Sequence, residues 1–509
     1  MILNVNGKIS PYYVQTLCLL FFPGSKFSAD EVPSPENPQA DVNFIQNGDE
    51  FSATATLSYE GKSVSREGRI TREEMPEGSD ERLSKIAVGR AVFAAGKDLL
   101  GFTPPWGILT GVRPSKVAAE LLDGGAGVLR AKRVLRDEYF VNPKKAALAV
   151  SVASTEARVI KPLPASDMCS VYVSIPFCPS RCAYCSFISN TGGRFLSLIG
   201  EYLEKLFLDI DSIFAVIRSL GLKVASVYIG GGTPTVLDEK QLASLLSRIQ
   251  KNVDPASLLE FSLEAGRPDT ITEEKLAIAR GYGVSRISVN PQTLSDELLS
   301  AIGRRHTVAD FHRAYEIAVK SGIRDINVDL IAGLPGDSFA NFSQSLDTIL
   351  ALAPTNLTVH SFSVKNAADI RHQKGFSAAA LSVADAAKSV EYSQLRAKNA
   401  GYRPYYMYRQ KNTVGNLENV GYALEGHEAF YNIFMMEELH SVFAAGAAAV
   451  TKLVARPSAS TGRDVISRIF TPKYPYEYLR DGERIRMGDP DAGIPSIADR
   501  ITEFYRTHR

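Results

Sequence analysis

The chain has 509 residues, of which 45% are hydrophobic, so it is able to bury a large core. Its 57 basic and 56 acidic side chains leave a formal net charge of +1, which argues against binding to nucleic acid or anionic lipid. The first ten residues lack a secretory layout, and no charge-free run approaches the roughly 18 residues that span a bilayer. These features predict a soluble, cytoplasmic protein without a membrane span.

The first predicted domain, residues 1–165, is an α+β accessory module that ends in a Pro-containing linker. Its strands are predicted from β-branched and aromatic runs, and its helices from apolar residues at helical spacing. The predicted strands cover 12–22, 42–46 and 51–59, the helices 79–100 and 143–160, and the linker 161–166.

The second predicted domain, residues 166–375, alternates short apolar runs with helix-period segments, as a parallel sheet with crossover helices requires. The predicted strands are 171–177, 224–230, 259–264, 286–290, 325–331 and 356–361. The predicted helices are 195–220, 239–252, 273–280, 296–302, 309–320 and 339–352. Six such units predict an α/β fold with a partial (β/α)6 barrel of the TIM type, whose site lies at the carboxyl ends of the strands.

The third predicted domain, residues 376–509, begins with a helix predicted over 381–400. The sequence then becomes rich in Tyr and Asn, without an internal repeat. We expect this C-terminal extension to cover a substrate or to close the barrel.

Three of the five cysteines, Cys178, Cys182 and Cys185, directly follow the first barrel strand in the order CPSRCAYC. The remaining two, Cys18 and Cys169, complete an odd count that makes a poor disulfide framework. A structural zinc site is one interpretation, but zinc of that kind takes four ligands, and no second CxxC or paired His is present. Three thiolates fit an iron–sulfur cluster that leaves one iron open to a small molecule.

The CxxxCxxC spacing, with Tyr184 before the last cysteine, resembles the radical S-adenosylmethionine (SAM) superfamily. That resemblance implies a [4Fe-4S] cluster whose open iron chelates SAM. It also implies cleavage of SAM to a 5′-deoxyadenosyl radical, which attacks unreactive C–H bonds and needs a dry cavity. A low-potential electron donor such as flavodoxin or ferredoxin is the expected protein partner.

Glycines and polar residues mark the ends of the following predicted strands. The run 230–235 (GGGTPT) ends the second strand, where it either forms a simple tight turn or lets a ligand approach the backbone. The polar positions are Glu264 at the end of the third strand, Gln292 after the fourth, Arg304 in the next helix and Asp329 in the fifth strand. Taken singly, each would be a solvated or paired side chain. Together they suit the hydroxyls and carboxylate of a nucleoside-bearing ligand.

A longer set of motifs resembles the oxygen-independent coproporphyrinogen III oxidase family over about residues 171–362. The motifs are YVSIPFCPSRCAYCSF (172–187), YIGGGTPT (228–235), EAGRP (264–268), NPQT (290–293), IGRRHT (302–307) and DLIAGLPG (329–336). The outer segments 106–116 and 408–438 resemble the HemZ-type branch of that family. The resemblance implies contacts to one SAM molecule, or to two, from Tyr172, Gly231, Gly232, Thr233, Glu264, Gln292, Arg304 and Asp329.

Two positions depart from the decarboxylating branch of the family. Ser174 stands where that branch has His, and Phe187 stands where it has a fourth Cys; the Phe is shared with the haem-chaperone branch. Three functions therefore stay open. The first is an oxidoreductase of haem biosynthesis that converts a tetrapyrrole substrate, coproporphyrinogen III, to protoporphyrinogen IX. The second is a haem carrier without decarboxylase turnover, and the third is a radical methyltransferase that uses two SAM molecules.

Two flanking clusters combine aromatic and basic residues, which suit a flat polyanionic ligand. Trp106, Arg113 and Lys116 form such a patch, or else a packed turn before a helix that starts at Pro114. The second cluster, within 402–411, alternatively forms a strand that closes the barrel. The scattered histidines are expected to be hydrogen-bonded structural residues rather than haem ligands: His306, His360, His427 and His440.

Overall fold

The computed structural model describes residues 1–27, 34–76, 78–163, 167–185, 193–364, 382–410, 413–456, 464–489, 493 and 495–508. The chain forms two compact units. They comprise Met1–Ser154 with Met407–Glu418, and Thr155–Tyr406 with Asn419–Arg509. The three-domain division stays a prediction, and Phe187 and most of the boundary segments lie outside the described residues. Within the described residues, no helix has the length and apolar character needed to cross a bilayer.

The first unit contains a four-stranded sheet in the order β1-β2-β3-β4, in which β1 and β2 are parallel and the other pairs antiparallel. Helix α2 packs on β3 and β4. The elements are β1 (Ile2–Asn6), α1 (Pro11–Phe21), β2 (Gln39–Asn47), β3 (Glu50–Tyr59), β4 (Lys62–Thr71), α2 (Asp80–Leu100), α3 (Ser115–Asp123) and α4 (Val128–Asp137); α5 (Pro143–Ile160) begins in this unit.

One prediction for this unit is wrong: residues 12–21 of the strand predicted over 12–22 lie in helix α1, and Phe22 follows its end. Pro11 occupies the first turn, where its missing N–H costs nothing. The helix buries residues at helical spacing, namely Val14, Leu17, Cys18 and Phe21. The structure confirms the other predicted elements of the N-terminal region, with β2, β3, α2 and α5 within a few residues of the predicted bounds.

The second unit carries the β/α series. Its elements up to the last parallel strand are β5 (Met168–Ile175), α6 (Gly193–Leu196), α7 (Ile199–Ser219), β6 (Lys223–Gly231), α8 (Glu239–Gln250), β7 (Glu260–Glu264), α9 (Glu273–Gly281), β8 (Arg286–Ser288), α10 (Asp296–Ala301), α11 (Val308–Ser321), β9 (Asp325–Ala332), α12 (Phe339–Ala351) and β10 (Asn356–Ser361). The remaining elements are α13 (Val383–Asn399), β11 (Arg403–Arg409), β12 (Glu418–Ala423), α14 (Phe430–Glu437), β13 (Val442–Ala445), β14 (Val450–Ala455), β15 (Val465–Phe470), α15 (Pro475–Met487) and α16 (Ile497–His508). The end of β11 from Met407, and Glu418 at the start of β12, belong to the first unit.

The six strands β5 to β10 are parallel and lie next to one another in chain order, as the six β/α units predicted. Local signals fix the helices between them. Asp238 with Gln241, and Thr307 with Asp310, form capping boxes at the starts of α8 and α11. The sheet stays open, which confirms the fold class of a partial barrel.

The C-terminal region extends this sheet at both sides. The full order is β11-β12-β10-β9-β8-β7-β6-β5-β13-β14-β15. Strand β12 pairs antiparallel with β10, and β13 pairs parallel with β5. Strand β5, which leads into the cysteine motif, therefore pairs with a strand on each side. Backbone hydrogen bonds to β6 and β13 fix the position of this strand.

The first residues of four consecutive strands form a buried network, here called the amino-end ring: Glu260, Arg286, Asp325 and Asn356. Arg286 Nε donates to Glu260 Oε2 at 3.2 Å, its Nη2 donates to Asp325 Oδ2 at 3.2 Å, and its Nη1 donates to Asn356 Oδ1. The Glu260 carboxylate also accepts the backbone N–H of Phe430, at the start of α14, at 2.8 Å. The ring thus ties helix α14 to the amino ends of the parallel strands.

Candidate functional site

The three motif cysteines lie in the segment that follows β5. Cys178 and Cys182 are buried, and Cys185 is half-buried at the last described position before residue 193. The backbone N–H of Cys185 donates to the carbonyl of Cys182 at 3.0 Å, which forms a turn between them. One short segment at a strand end therefore presents all three thiols.

The glycine run at the end of β6 supports the cysteine segment. A Cβ on Gly232 would lie 2.4 Å from the carbonyl oxygen of Phe177, so only glycine allows this approach. The backbone N–H of Thr233 donates to that carbonyl at 2.8 Å. The Thr233 hydroxyl lies 3.2 Å from the Sγ of Cys178. Gly232 and Thr233 of the GGGTPT run are therefore explained in part by packing against the cysteine segment.

Arg267 contacts the cysteine segment from the loop after β7. Its Nη1 donates to Cys182 Sγ at 3.6 Å and its Nη2 donates to the Ser180 hydroxyl at 2.8 Å. Arg267 also forms a 3.1 Å ion pair with Asp269, and its side chain is 3% exposed. A buried guanidinium that donates to a sulfur suits a cysteine that holds a metal cluster.

Arg304 lies between α10 and α11, and its predicted placement inside a helix is wrong. The guanidinium Nη2 donates to the Tyr184 hydroxyl at 3.2 Å, and Nη1 donates to the carbonyl of Asn290 at 2.6 Å. Its buried Nε has no partner among the described residues. Arg304 thus links the cysteine motif to the end of the fourth parallel strand and keeps one donor unused.

The side chains of three tyrosines stack on one another beside strands β5 and β6. The ring centroids of Tyr228 and Tyr431 are 4.5 Å apart, and that of Tyr172 lies 6.1 Å from Tyr228 and 6.4 Å from Tyr431. Tyr172 and Tyr228 come from β5 and β6, whereas Tyr431 comes from α14. This set, here called the tyrosine stack, forms an aromatic wall to which the C-terminal region contributes.

Glu264 lies at the carboxyl end of β7 against this wall. The Tyr228 hydroxyl donates to Glu264 Oε1 at 2.5 Å. Burial raises the pKa of Glu264 to about 7, although the Tyr228 hydroxyl favours the ionised form. A carboxyl group that is half-protonated near neutrality, in an interior site, is typical of a ligand-binding position.

Asp329 and Gln292 meet through the backbone. The N–H of Gln292 donates to the carbonyl of Asp329 at 3.0 Å, and Gln292 has a φ of +72°, which is unusual for a side-chain-bearing residue. Burial alone would raise the pKa of Asp329. The pKa is nevertheless lowered overall, because the Asp329 carboxylate has His360 and Asn327 as partners. The Nε2 of His360 lies 3.6 Å from the Oδ2 of Asp329. The site thus pairs one carboxyl of raised pKa with one that stays ionised.

These residues fit the group that the cysteine motif implies. In a cluster of four irons each cysteine holds its own iron, so the thiolates surround the cluster rather than converge on one point. Among the described residues, no three His, Cys, Asp or Glu side chains converge as a single metal ion requires. The donors of Arg267 and Thr233 beside two of the sulfurs suit a cluster that carries thiolate charge.

Several residues of the site escaped the sequence analysis. Arg267 and Tyr228 belong to the motifs EAGRP and YIGGGTPT, but the sequence alone assigns them no role. Tyr431 lies in a region with many tyrosines, and nothing in the sequence distinguishes it from the others. The packed-turn interpretation of the 106–116 segment matches the structure, since Trp106 is buried and its Nε1 donates to Glu418 at 2.9 Å. His306 was expected to be hydrogen-bonded, but both of its ring nitrogens are buried without a hydrogen-bond partner among the described residues.

Comparisons with known proteins agree with this geometry. The family model described as the radical SAM superfamily matches residues 172–349. The oxygen-independent coproporphyrinogen-III oxidase-like protein HemZ of Bacillus subtilis (strain 168) is 38% identical over 385 residues, which cover 74% of this chain and 75% of that protein. The haem chaperone HemW of the same organism is 38% identical over 199 residues, which cover 39% of this chain and 51% of HemW.

The solved structure of coproporphyrinogen III oxidase (HemN) from Escherichia coli, described as a radical SAM enzyme, matches with a TM-score of 0.50. The match has 21% sequence identity and covers 65% of this chain and 71% of that one, so it supports the fold. Membership of the radical SAM superfamily implies a [4Fe-4S] cluster and SAM. The chain belongs to the HemZ family of oxygen-independent coproporphyrinogen-III oxidase-like proteins, within the radical SAM superfamily.

Proposed function

We propose that this protein is a radical SAM oxidoreductase that converts coproporphyrinogen III to protoporphyrinogen IX by oxidative decarboxylation of two propionates. The observation that carries the proposal is that the glycine run at the end of β6 lies against both the cysteine segment and Glu264, at the carboxyl ends of neighbouring parallel strands. The similarity to a coproporphyrinogen-III oxidase-like protein over three quarters of the chain supports the choice of substrate.

In this proposal Cys178, Cys182 and Cys185 hold the cluster. A bound cluster and SAM would supply radical chemistry able to remove a hydrogen atom from the β-carbon of a propionate. Arg267 stabilises the negative charge on Cys182, because it donates to that sulfur from a buried position. The propionate then loses carbon dioxide and one electron, which passes to an acceptor, and a vinyl group results.

The strand-end residues orient SAM. Glu264 and Asp329 suit hydroxyls and an amino group, and the unused Nε of Arg304 suits a carboxylate. The backbone around Gly231 and the Thr233 hydroxyl border the same site, and Gln292 borders it from the next strand end. Measuring how many equivalents of SAM bind at saturation shows whether this set serves one molecule or two.

The tyrosine stack limits the access of water. Tyr431 is buried and Tyr172 and Tyr228 are half-buried. Their stacked rings cover part of the site, and a radical that attacks C–H bonds must meet its substrate in a dry cavity. A low-potential donor such as flavodoxin or ferredoxin supplies the electron that starts each turnover. A tetrapyrrole with four carboxylates is the small-molecule partner in this proposal.

An anaerobic assay tests the proposal. Protein with a reconstituted cluster is mixed with SAM, a strong reductant and coproporphyrinogen III, and the tetrapyrrole products are analysed by mass spectrometry. Loss of two carboxyl groups with formation of 5′-deoxyadenosine is the expected result. The absence of any decarboxylated product, with the cluster intact and SAM cleaved, would overturn the proposed substrate reaction.

A haem carrier is the second candidate, because HemW is named a haem chaperone and shares 38% identity with the matched region. Stoichiometric uptake of haem without decarboxylation in the same assay would favour this function. A mass gain on a substrate would instead favour a radical methyltransferase, for which the same scaffold is suited.

A further inference from the structure

The first unit contains a cavity of about 120 Å³ beside helix α1. Engineered apolar cavities of about 150 Å³ bind molecules the size of benzene. Two segments singled out in the sequence, 106–116 and 408–438, each contribute lining residues. The lining consists of Thr16, Leu19, Leu20, Pro23 and Gly24 from α1 and its end, Thr110, Gly111 and Val112, and Arg409, Gln410, Thr413 and Asn416.

Among the described residues that line the cavity, Arg409 is the one that carries a charge, and 93% of its surface is buried. Its Nη1 donates to the carbonyl of Leu109 at 2.5 Å, and its backbone N–H donates to the carbonyl of Val112 at 2.6 Å. The Nε of Arg409 has no hydrogen-bond partner among the described residues. A buried guanidinium with an unused donor is costly unless an anion compensates it.

The nearby buried carboxylate is already engaged. Glu418 accepts the Lys145 ammonium at 2.5 Å and the indole N–H of Trp106 at 2.9 Å. Burial lowers the pKa of Arg409 to about 10, because the charge of Glu418 offsets only part of the effect of burial. Two buried cations thus share one buried anion in this part of the first unit.

We propose that this cavity binds the carboxylate end of a small amphipathic organic acid. The carboxylate pairs with Arg409 and accepts its unused Nε–H, and Leu19, Leu20 and Pro23 contact the apolar part of the ligand. The acid is either a free aliphatic molecule or one propionate arm of a larger tetrapyrrole, since both present the same group. This site lies within the first unit and is independent of the decarboxylation proposed for the second.

Isothermal titration calorimetry on the full-length protein with its cluster reconstituted tests the site with three probes. Hexanoate represents a free acid, hexanamide is its uncharged analogue, and coproporphyrin III carries propionate arms. Arg409→Met removes the cation, and Arg403→Met is the matched control because it removes an exposed guanidinium from the same strand.

A second variant guards against misfolding of Arg409→Met. Gly111 is an exposed lining residue, and a Cβ added there meets no heavy atom within 4 Å, so Gly111→Leu adds bulk at the cavity lining without a clash at its Cβ. We expect hexanoate, coproporphyrin III or both to bind the unaltered protein, and Arg409→Met and Gly111→Leu to weaken that binding about tenfold or more. Arg403→Met leaves the affinity unchanged.

The two acid probes separate the sources of the carboxylate. Loss of one coproporphyrin III binding event in both cavity variants, while the binding expected at the second unit persists, identifies a tetrapyrrole arm, and loss of hexanoate binding alone identifies a free acid. The proposal fails if neither acid binds, if hexanamide and hexanoate bind equally, or if the affinity is the same in all variants. None of these results depends on decarboxylation, so the site and the proposed reaction fail separately.

Discussion

The two ends of the parallel strands carry similar polar residues in different states. At the amino ends, Glu260, Asp325 and Asn356 each accept a hydrogen bond from Arg286. At the carboxyl ends, the Nε of Arg304 has no partner among the described residues, and Glu264 has a pKa of about 7. Each member of the amino-end ring is thus hydrogen-bonded, whereas the carboxyl-end set keeps an unused donor among the described residues.

This difference separates structural from functional polar groups. A fully paired buried network stabilises one packing, and removal of a member leaves its partners uncompensated. A set with unused donors and a carboxyl of raised pKa is arranged for a ligand. Variants at the amino end should therefore change stability, and variants at the carboxyl end should change cofactor properties.

The largest effect is expected from Cys182→Ala. Loss of one proposed cluster ligand should abolish bound iron, brown colour and 5′-deoxyadenosine formation together, with little change in urea unfolding. Iron analysis and product chromatography measure the result. Cys18→Ala, which removes a buried thiol from α1, is the matched control and should keep all three properties. A Cys182→Ala protein that retained them would contradict the assignment.

Arg286→Met should produce the largest loss of stability. The substitution leaves the carboxylates of Glu260 and Asp325 buried without their cation, so we expect about 3–5 kcal/mol less free energy of unfolding. Urea unfolding measures this value, and Arg313→Met, at an exposed helix position, should change it by less than about 1 kcal/mol. Equal stability of the two variants would show that the amino-end ring is not structural.

Glu264→Gln should remove a dependence of stability on pH. Because Glu264 has a pKa of about 7 in the folded chain and an ordinary value of 4.5, its contribution to stability is complete below pH 4.5 and is lost as the pH rises through 7. The loss amounts to about 3 kcal/mol, since a tenfold change in proton affinity is worth about 1.4 kcal/mol.

Urea unfolding of the unaltered protein and of Glu264→Gln between pH 5 and 8.5 measures this dependence. The advantage of the unaltered protein should shrink as the pH rises. Glu316→Gln, on the exposed face of α11, is the matched control and should show no such trend. A constant difference between the unaltered protein and Glu264→Gln would rule out the raised pKa.

The smallest effect is expected at Arg267. Arg267→Met removes a donor and a positive charge beside Cys182, so the midpoint potential of the reconstituted cluster should fall, on the order of 50 mV. Redox titration followed by electron paramagnetic resonance measures the potential. Arg305→Met removes an exposed neighbouring charge and should leave it unchanged. An unchanged potential in both variants would show that Arg267 serves packing alone.

The alternation of strands and helices was predictable because each element carries its own local pattern. The three cysteines, Glu264 and Asp329 were recognisable because they stand at fixed places in that series. The helix at 11–21 was misassigned, although Val14, Leu17, Cys18 and Phe21 have helical spacing, because its apolar residues also suited a buried strand.

The contacts that complete the site were not predictable. Tyr431 reaches the tyrosine stack from α14, and Glu260 binds the backbone of Phe430, 170 residues later in the chain. No local sequence pattern specifies which distant segment of the chain packs against the strands of the sheet. The pairing of Arg267 with Cys182 similarly depends on the relative placement of two loops.

The parallel pairing of β13 with β5 has a consequence for biosynthesis. Strand β5 leads into the cysteine motif, yet one of its two neighbours is made only when the ribosome reaches residues 442–445. Until then its backbone donors and acceptors on that side form an open edge, which invites pairing with other chains. A chain truncated before Val442 should therefore aggregate, and maturation of the protein should have to wait for the synthesis of residues 442–445.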